Sequence, residues 1–305
     1  MDNKGLQCGG YPRTDLACER TEGAIQETER TYSLGITSTV KITHSYIPSN
    51  SEDTANDLST DGKNYITASY GRITELSSHE LSELSDIIAR ELRGLAEKMT
   101  GRHIGGEMRL LVAGLGNAAM TADATGPRPA SRITATRHLR SLDEKLYREL
   151  GCCEISVISP GVLGNTGVES ADIIKGVVER THPHLIIAID ALAARSCDRL
   201  ASTVQLSDSG ISPGSGIGNT RRAIDRDSMG CPVLSIGVPT VVDSSTLVYD
   251  ALERAGIHRG GISEELSLVL ENGRSFVVSP KDSDRICELT VELLARSIEQ
   301  AFGIG

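Results

Sequence analysis

Asp190 follows an unbroken apolar run, Leu185-Ile-Ile-Ala-Ile189, and Asp123 lies nine residues past a second run that ends at Gly114. A carboxylate at the end of a buried strand either caps the next helix or is carried to a working edge of the sheet. If the two strands are neighbours, the two carboxylates can meet. Two close like charges cannot both ionise cheaply, so one keeps its proton. The ionised partner is then a base toward water and the protonated one an acid toward a carbonyl or leaving group. That is a route to amide hydrolysis that needs neither a metal nor a nucleophilic side chain.

Other motifs are less specific. Gly114-Leu-Gly116-Asn117-Ala-Ala119 fits the dinucleotide pattern G-x-G-x-x-G/A, but the polar stretch "MTADATGPRP" that follows reads as loop rather than as an immediate helix. A second glycine-rich stretch, "SDSGISPGSGIGNTRR" at 207–222, has the composition of a phosphate cradle yet lacks the GK[ST] ending of a P-loop. It reads as a loop over the same sheet edge, with Arg221 and Arg222 solvated. His182 and His184 precede the 185–189 strand, about 20 Å from Asp190 at roughly 3.3 Å per residue, so they are read as structural. No HExxH occurs. The seven cysteines are odd in number and scattered, with no CxxC, as in a reduced protein without a disulfide framework or zinc knuckle.

Composition narrows the classes further. The chain has 305 residues, 39% hydrophobic and 24% charged, with no Trp and two Phe, so its core rests on Leu, Ile, Val and Ala. A net charge of −10 disfavours direct binding to nucleic acid or an anionic membrane surface. No apolar run approaches the roughly 20 residues of a membrane span. The polar N-terminus has no signal-peptide core, which makes the cytoplasm the expected compartment.

The elements that must position these residues alternate. Residues 1–15 lack periodicity and read as an arm. Strands are expected within 31–48 and from 63, separated by an acidic loop at 50–62. Ser77 and Glu80 have capping-box spacing, and Leu81, Leu84, Ile88, Leu92, Leu95 and Met99 form one face of a helix over 77–99. Strands follow at 109–114, 154–159, 185–189, 202–206 and 232–242, and helices at 134–150, 171–180 (Ser170 its cap), from Ser244 or Ser245, and over 280–301. Short continuous apolar strands alternating with amphipathic helices predict an α/β fold with a mostly parallel central sheet and helices on both faces. Ligands and catalysis in such sheets gather outside the carboxyl ends of the strands.

The blocks "LIIAIDALAARS" and "TVQLSDSGISPGSGIGN" closely resemble the germination protease family of spore-forming bacteria. "VAGLGNAAMTADATGPR", "ISPGVLGNTGVES" and "GVPTVVDSSTL" resemble further signature blocks, in order over most of 110–245, with fainter similarity at "RTDLACE". The resemblance implies an endopeptidase that degrades small acid-soluble spore proteins during germination in the spore core, with a fold similar to hydrogenase-maturation peptidases. It implies an atypical aspartic mechanism without a cofactor, with Asp123 and Asp190 as the catalytic pair. It also implies a homotetramer, and a zymogen that removes a short arm, here residues 1–15, from a single peptidase domain, 16–305.

The motif places that processing cut between Asp15 and Leu16, and the arm is expected to occupy the cleft as a tethered substrate. Gly114, Gly116 and Asn117 are expected to shape the cleft or offer backbone donors to an oxyanion. Glu169, Asp208 and the 207–219 loop are expected to line the substrate path. Cys18 and the acidic loop depart from the family's motifs. Two other readings stay open: a metal-dependent peptidase with Asp190, Glu169 or Asp123 as ligands, and a phosphate- or nucleotide-binding protein that uses the glycine loops.

Overall fold

The structure is a computed structural model, and it describes residues 14–19, 26–48, 62–214, 221–258, 261–272 and 276–303. Most of the arm and of the 50–62 loop lies outside those residues. Nine strands form one sheet: β1 (Gln26–Leu34), β2 (Ser38–Ile47), β3 (Lys63–Tyr70), β4 (Arg109–Gly114), β5 (Glu154–Ile158), β6 (Leu185–Ala194), β7 (Thr203–Ser207), β8 (Val233–Asp243) and β9 (Val277–Val278). The helices are α1 (Ser78–Thr100), α2 (Pro127–Arg132), α3 (Arg137–Leu142), α4 (Glu144–Leu150), α5 (Leu163–Thr166), α6 (Ser170–Thr181), α7 (Arg226–Met229), α8 (Ser244–Arg254), α9 (Glu264–Asn272) and α10 (Ser283–Phe302).

The strand order is β1-β2-β3-β7-β8-β6-β4-β5, with β9 against β8. The α/β class is the one the alternation predicts. β5, β4, β6 and β8 run parallel, and β7, β3, β2 and β1 extend them as antiparallel strands. The parallel half is buried on both faces, as its uninterrupted apolar runs require. Leu110, Val112, Leu185, Ile187 and Ile189 enter the core formed with α1 and α10. Leu111, Ala113, Ile186 and Ala188 pack with Ala171, Ile174 and Val178 of α6 and Met229 of α7.

α1 begins and ends as its sequence dictates. Ser77 and Glu80 close a capping box, and Gly101 ends the helix at φ 63°. Elsewhere the boundaries shift for local reasons. The helix expected over 134–150 is two, because Asp143 leaves helical geometry and caps α4 by accepting from the Leu146 N–H. The cap of α6 is Glu169 rather than Ser170, whose hydroxyl donates to Gly161 O. "TGPRP" is partly helical, since Pro127 fits the first turn of α2. The strand expected at 185–189 runs on to Ala194, because β8 continues to pair with it as far as Val242. The six described cysteines are free thiols.

Candidate active site

β4 stops at Gly114, level with Ile189 of its parallel neighbour β6. Asp190 is therefore the first residue of β6 with no partner on the β4 side, although its own strand continues. That step in the sheet edge opens the site. Beyond it the chain of β4 turns back, and Leu115 N donates to Ile189 O at 2.8 Å. Gly126 packs directly on this crossing. A Cβ there would lie 2.0 Å from Leu115 O and 2.5 Å from Ile189 O, so no side chain fits. Gly116 has φ +109°, and a Cβ on it would sit 2.3 Å from Asp123 O.

The turn presents Asp123. Its N–H donates to Met120 O at 2.9 Å, and its Oδ2 accepts from Asn117 N at 2.7 Å. Thr240 of β8 fixes the same turn by donating to Ala122 O at 2.6 Å. Asp190 is 5% exposed, and its Oδ1 accepts from Ala191 N at 2.9 Å. Along that face of β6, Ile186 and Ala188 lie in one apolar cluster, Leu192 and Ala194 in another, and Asp190 sits between them.

The two carboxylates have different proton affinities. Burial pushes Asp123 above the ordinary carboxylate range, opposed by the Asn117 N–H and the charge of Arg221. Asp190 is pushed up to about 8, first by burial and then by the negative charge of Asp123, with a smaller push from Asp15. The Ala191 N–H and Arg221 work in the opposite direction. Asp123 thus ionises first, and Asp190 meets its charge afterwards. Asp190, the more deeply buried of the two, is the carboxyl that holds its proton more strongly.

A cavity of about 380 Å³ opens over Asp190 and is lined also by Asp15, Gln205, Ser209 and Gly237. The segment 14–19 passes along its rim, with Asp15 in the lining. Asp15 N donates to Ala193 O at 3.0 Å, and Ala193 N donates to Asp15 Oδ2 at 3.0 Å. Leu16 is fully buried with Leu192, Ala194 and Val242. Glu19 accepts from Arg195 N at 2.6 Å and Ser196 N at 3.0 Å, and also takes a hydrogen bond from the Thr14 hydroxyl.

The sequence-selected residues divide. Gly114, Gly116, Asn117, Asp123, Asp190, Asp15 and Leu16 belong to this edge. The Asn117 N–H is spent on Asp123, so it holds the carboxylate rather than serving as an oxyanion donor. Asp208 is turned away: its carboxylate accepts from Asn64 N at 2.8 Å and Asn64 Nδ2 at 2.5 Å, while its neighbours Ser207 and Ser209 line the cavity. Glu169 stands at the head of α6, where its carbonyl accepts from Asp172 N, and no contact joins it to the pair. His182 and His184 lie at the opposite end of β6, where His184 N donates to Arg109 O.

Arg222 pairs with Asp172 at 2.7 Å, whereas Arg221 acts on both site carboxylates, which the expectation of two solvated arginines missed. Gln205 and Gly237 were also missed. The one available signal was an amide set between Val204 and Leu206 in an apolar strand. Among the described residues, no group of three or more His, Cys, Asp or Glu could hold a metal ion. The ligand set considered for a metal reading, Asp190 with Asp123 and Glu169, is therefore not assembled.

The family model and the relatives agree on one family. The family model described as germination protease matches residues 19–266. A germination protease of Geobacillus sp. (strain WCH70) is 39% identical over 264 residues, covering 82% of this chain and 69% of that protein. One from Clostridium acetobutylicum is 34% identical and covers 95% of this chain and 94% of its own. One from Bacillus subtilis (strain 168) is 42% identical over 196 residues, 64% of this chain and 52% of that protein. Among solved structures, a [NiFe] hydrogenase maturation protease from Thermococcus kodakarensis aligns with 66% of this chain and 98% of its own, at 17% identity and a TM-score of 0.32, a likeness too slight to argue from.

Proposed function

Because this chain belongs to the germination protease family, we propose that it is an endopeptidase in which Asp123 and Asp190 activate water between them. The observation that carries this reading is the buried Asp190 at the step in the sheet edge, lining one cavity with Asp15 and close enough to Asp123 to feel its charge. Asp123 takes a proton from water, and the water oxygen bonds to the carbonyl carbon. The carbonyl π pair moves to oxygen, which receives the proton of Asp190. As the diol collapses, Asp123 passes its proton to the nitrogen, the C–N bond breaks, and one hydroxyl gives its proton to Asp190 as the carbonyl re-forms.

Asp15–Leu16 is the first substrate in this account, cut within its own chain to release residues 1–15 from the domain 16–305. Proteins of the small acid-soluble class follow in trans, in the spore core, with no cofactor. The exposed Leu268, Val269, Phe276 and Val277 offer apolar surface for the proposed homotetramer. Among the described residues, no helix is long and apolar enough to cross a membrane.

The test is intact mass on the purified chain, alone and mixed with a small acid-soluble spore protein, with and without EDTA. Loss of residues 1–15 and discrete cuts in the substrate, both unaffected by EDTA, are the expected result. Cuts abolished by EDTA, or no cuts at all, overturn the reading.

A further inference from the structure

We propose that Gln205 is a catalytic residue, the side-chain donor that holds the carbonyl oxygen of the bond being cut. The inference rests on the aspartate-pair reading above and adds a side-chain donor to it. Its basis is one row across the sheet. Asp190 of β6 is in register with Gly237 of β8, and Gly237 is in register with Gln205 of β7. Directly paired residues project to the same face, so Asp190 and Gln205 flank a residue that has no side chain. Neighbouring strands are about 4.8 Å apart, which places the Asp190 and Gln205 backbones roughly 10 Å from each other. That is room for an extended peptide. A Cβ on Gly237 would lie 2.3 Å from Leu192 Cδ1, so the glycine lets the Leu192 side chain lie over the row, and Asp190, Leu192, Gln205 and Gly237 line one cavity with Asp15.

The Asp15 carbonyl lies against the Gln205 end of that row. Gln205 Nε2 donates to Asp15 O at 3.4 Å, and Gln205 is 6% exposed in a strand clamped on both sides by β3 and β8. In the ground state the bond is long. When water adds and the π pair moves onto oxygen, the acceptor becomes charged and pyramidal, and the same donor binds it more tightly. An interaction that strengthens only in the transition state accelerates the reaction rather than merely binding substrate. Gln205 transfers no proton. The proton that neutralises the oxyanion comes from Asp190, across the row. This also supplies the donor that Asn117, committed to Asp123, does not.

The experiment uses the full chain and two variants, Gln205→Leu and Gln205→Glu, the second nearly isosteric should the first fail to fold. Intact mass follows the Asp15–Leu16 cut, and steady-state kinetics follow a peptide of residues 10–24 added in trans. The variants are expected to lower kcat by about 10²–10³-fold, the usual effect of losing one oxyanion donor. KM and melting temperature should change little, a split that a purely structural role would not produce. Cutting at the wild-type rate in either folded variant overturns the assignment of Gln205 and leaves the aspartate pair standing. Loss through KM alone also overturns it. Absence of any cut in the wild-type chain overturns both readings together.

Discussion

Asp123 and Asp190 come within reach of each other's charge from two kinds of structure. Asp123 hangs on a glycine-bounded turn, partly buried, with a backbone N–H aimed at its carboxylate. Asp190 stands in a long strand between two apolar clusters, and it accepts from the N–H of the next residue. Burial resists charge on both, more strongly in the strand than in the turn, and the charge of Asp123 adds to the resistance at Asp190. Environment alone therefore assigns a base and an acid to two identical side chains, and each test below attacks or refines that difference.

The largest effect should come from Asp190→Asn. It removes the acidic proton while keeping the side-chain volume, and cleavage measured by intact mass should fall by on the order of 10³-fold or more. The same variant tests the strand's resistance to charge. The folded-state affinity of Asp190 for its proton exceeds the unfolded one, so the native state binds more protons between about pH 4 and 8. Its stabilising contribution is fully present below the ordinary carboxylate pKa and is lost as pH rises toward 8. Denaturant melts at pH 5 and pH 8 should show wild-type stability falling across that interval and the Asn variant losing most of the slope. Equal slopes would place the raised proton affinity elsewhere.

The pH–rate profile sharpens the comparison next. kcat/KM should rise as Asp123 ionises, at a pH above the ordinary carboxylate range, and fall near pH 8 as Asp190 loses its proton. A profile flat to pH 10 would contradict a protonated Asp190.

Gly116→Ala tests the turn. The added methyl meets the Asp123 backbone at a positive φ, and the strain should cost about 1–3 kcal/mol in thermal or denaturant melts. Cleavage should drop by about 10²-fold through displacement of Asp123. Unchanged activity would mean that the turn does not need its present shape.

The smallest effect is at the segment itself. Glu19→Gln exchanges a charged acceptor of two backbone N–H groups for a neutral one, and the Asp15–Leu16 cut should slow by about tenfold. No slowing would show that Glu19 does not seat the segment.

The sequence makes much of this edge legible, for identifiable reasons. Apolar runs of five or six residues mark β4 and β6, and because sheet neighbours in α/β folds meet at their carboxyl ends, the Asp123–Asp190 encounter can be anticipated. The step that exposes Asp190 cannot. It arises because β6 outlasts β4, and strand length is set by the partner on the other side, β8. Asp208 looks as exposed in sequence as Asp190 but is committed to Asn64, 144 residues away. Gln205 and Gly237 become a site only through register across three strands, two of them antiparallel to one another. Local pattern carries no record of that pairing. The difference between Arg221 and Arg222 is likewise tertiary: Arg222 finds Asp172, and the charge of Arg221 reaches both carboxylates.

The most direct measurement of the central claim is a double-mutant cycle on the cut itself. Asp123→Asn, Asp190→Asn and the double variant are compared with the wild-type chain by intact mass over time at neutral pH. Two groups that share one proton and act as a unit should be non-additive, so either single change should abolish release of residues 1–15 and the double should be no slower than the singles. Release at the wild-type rate by either folded single variant would contradict the account.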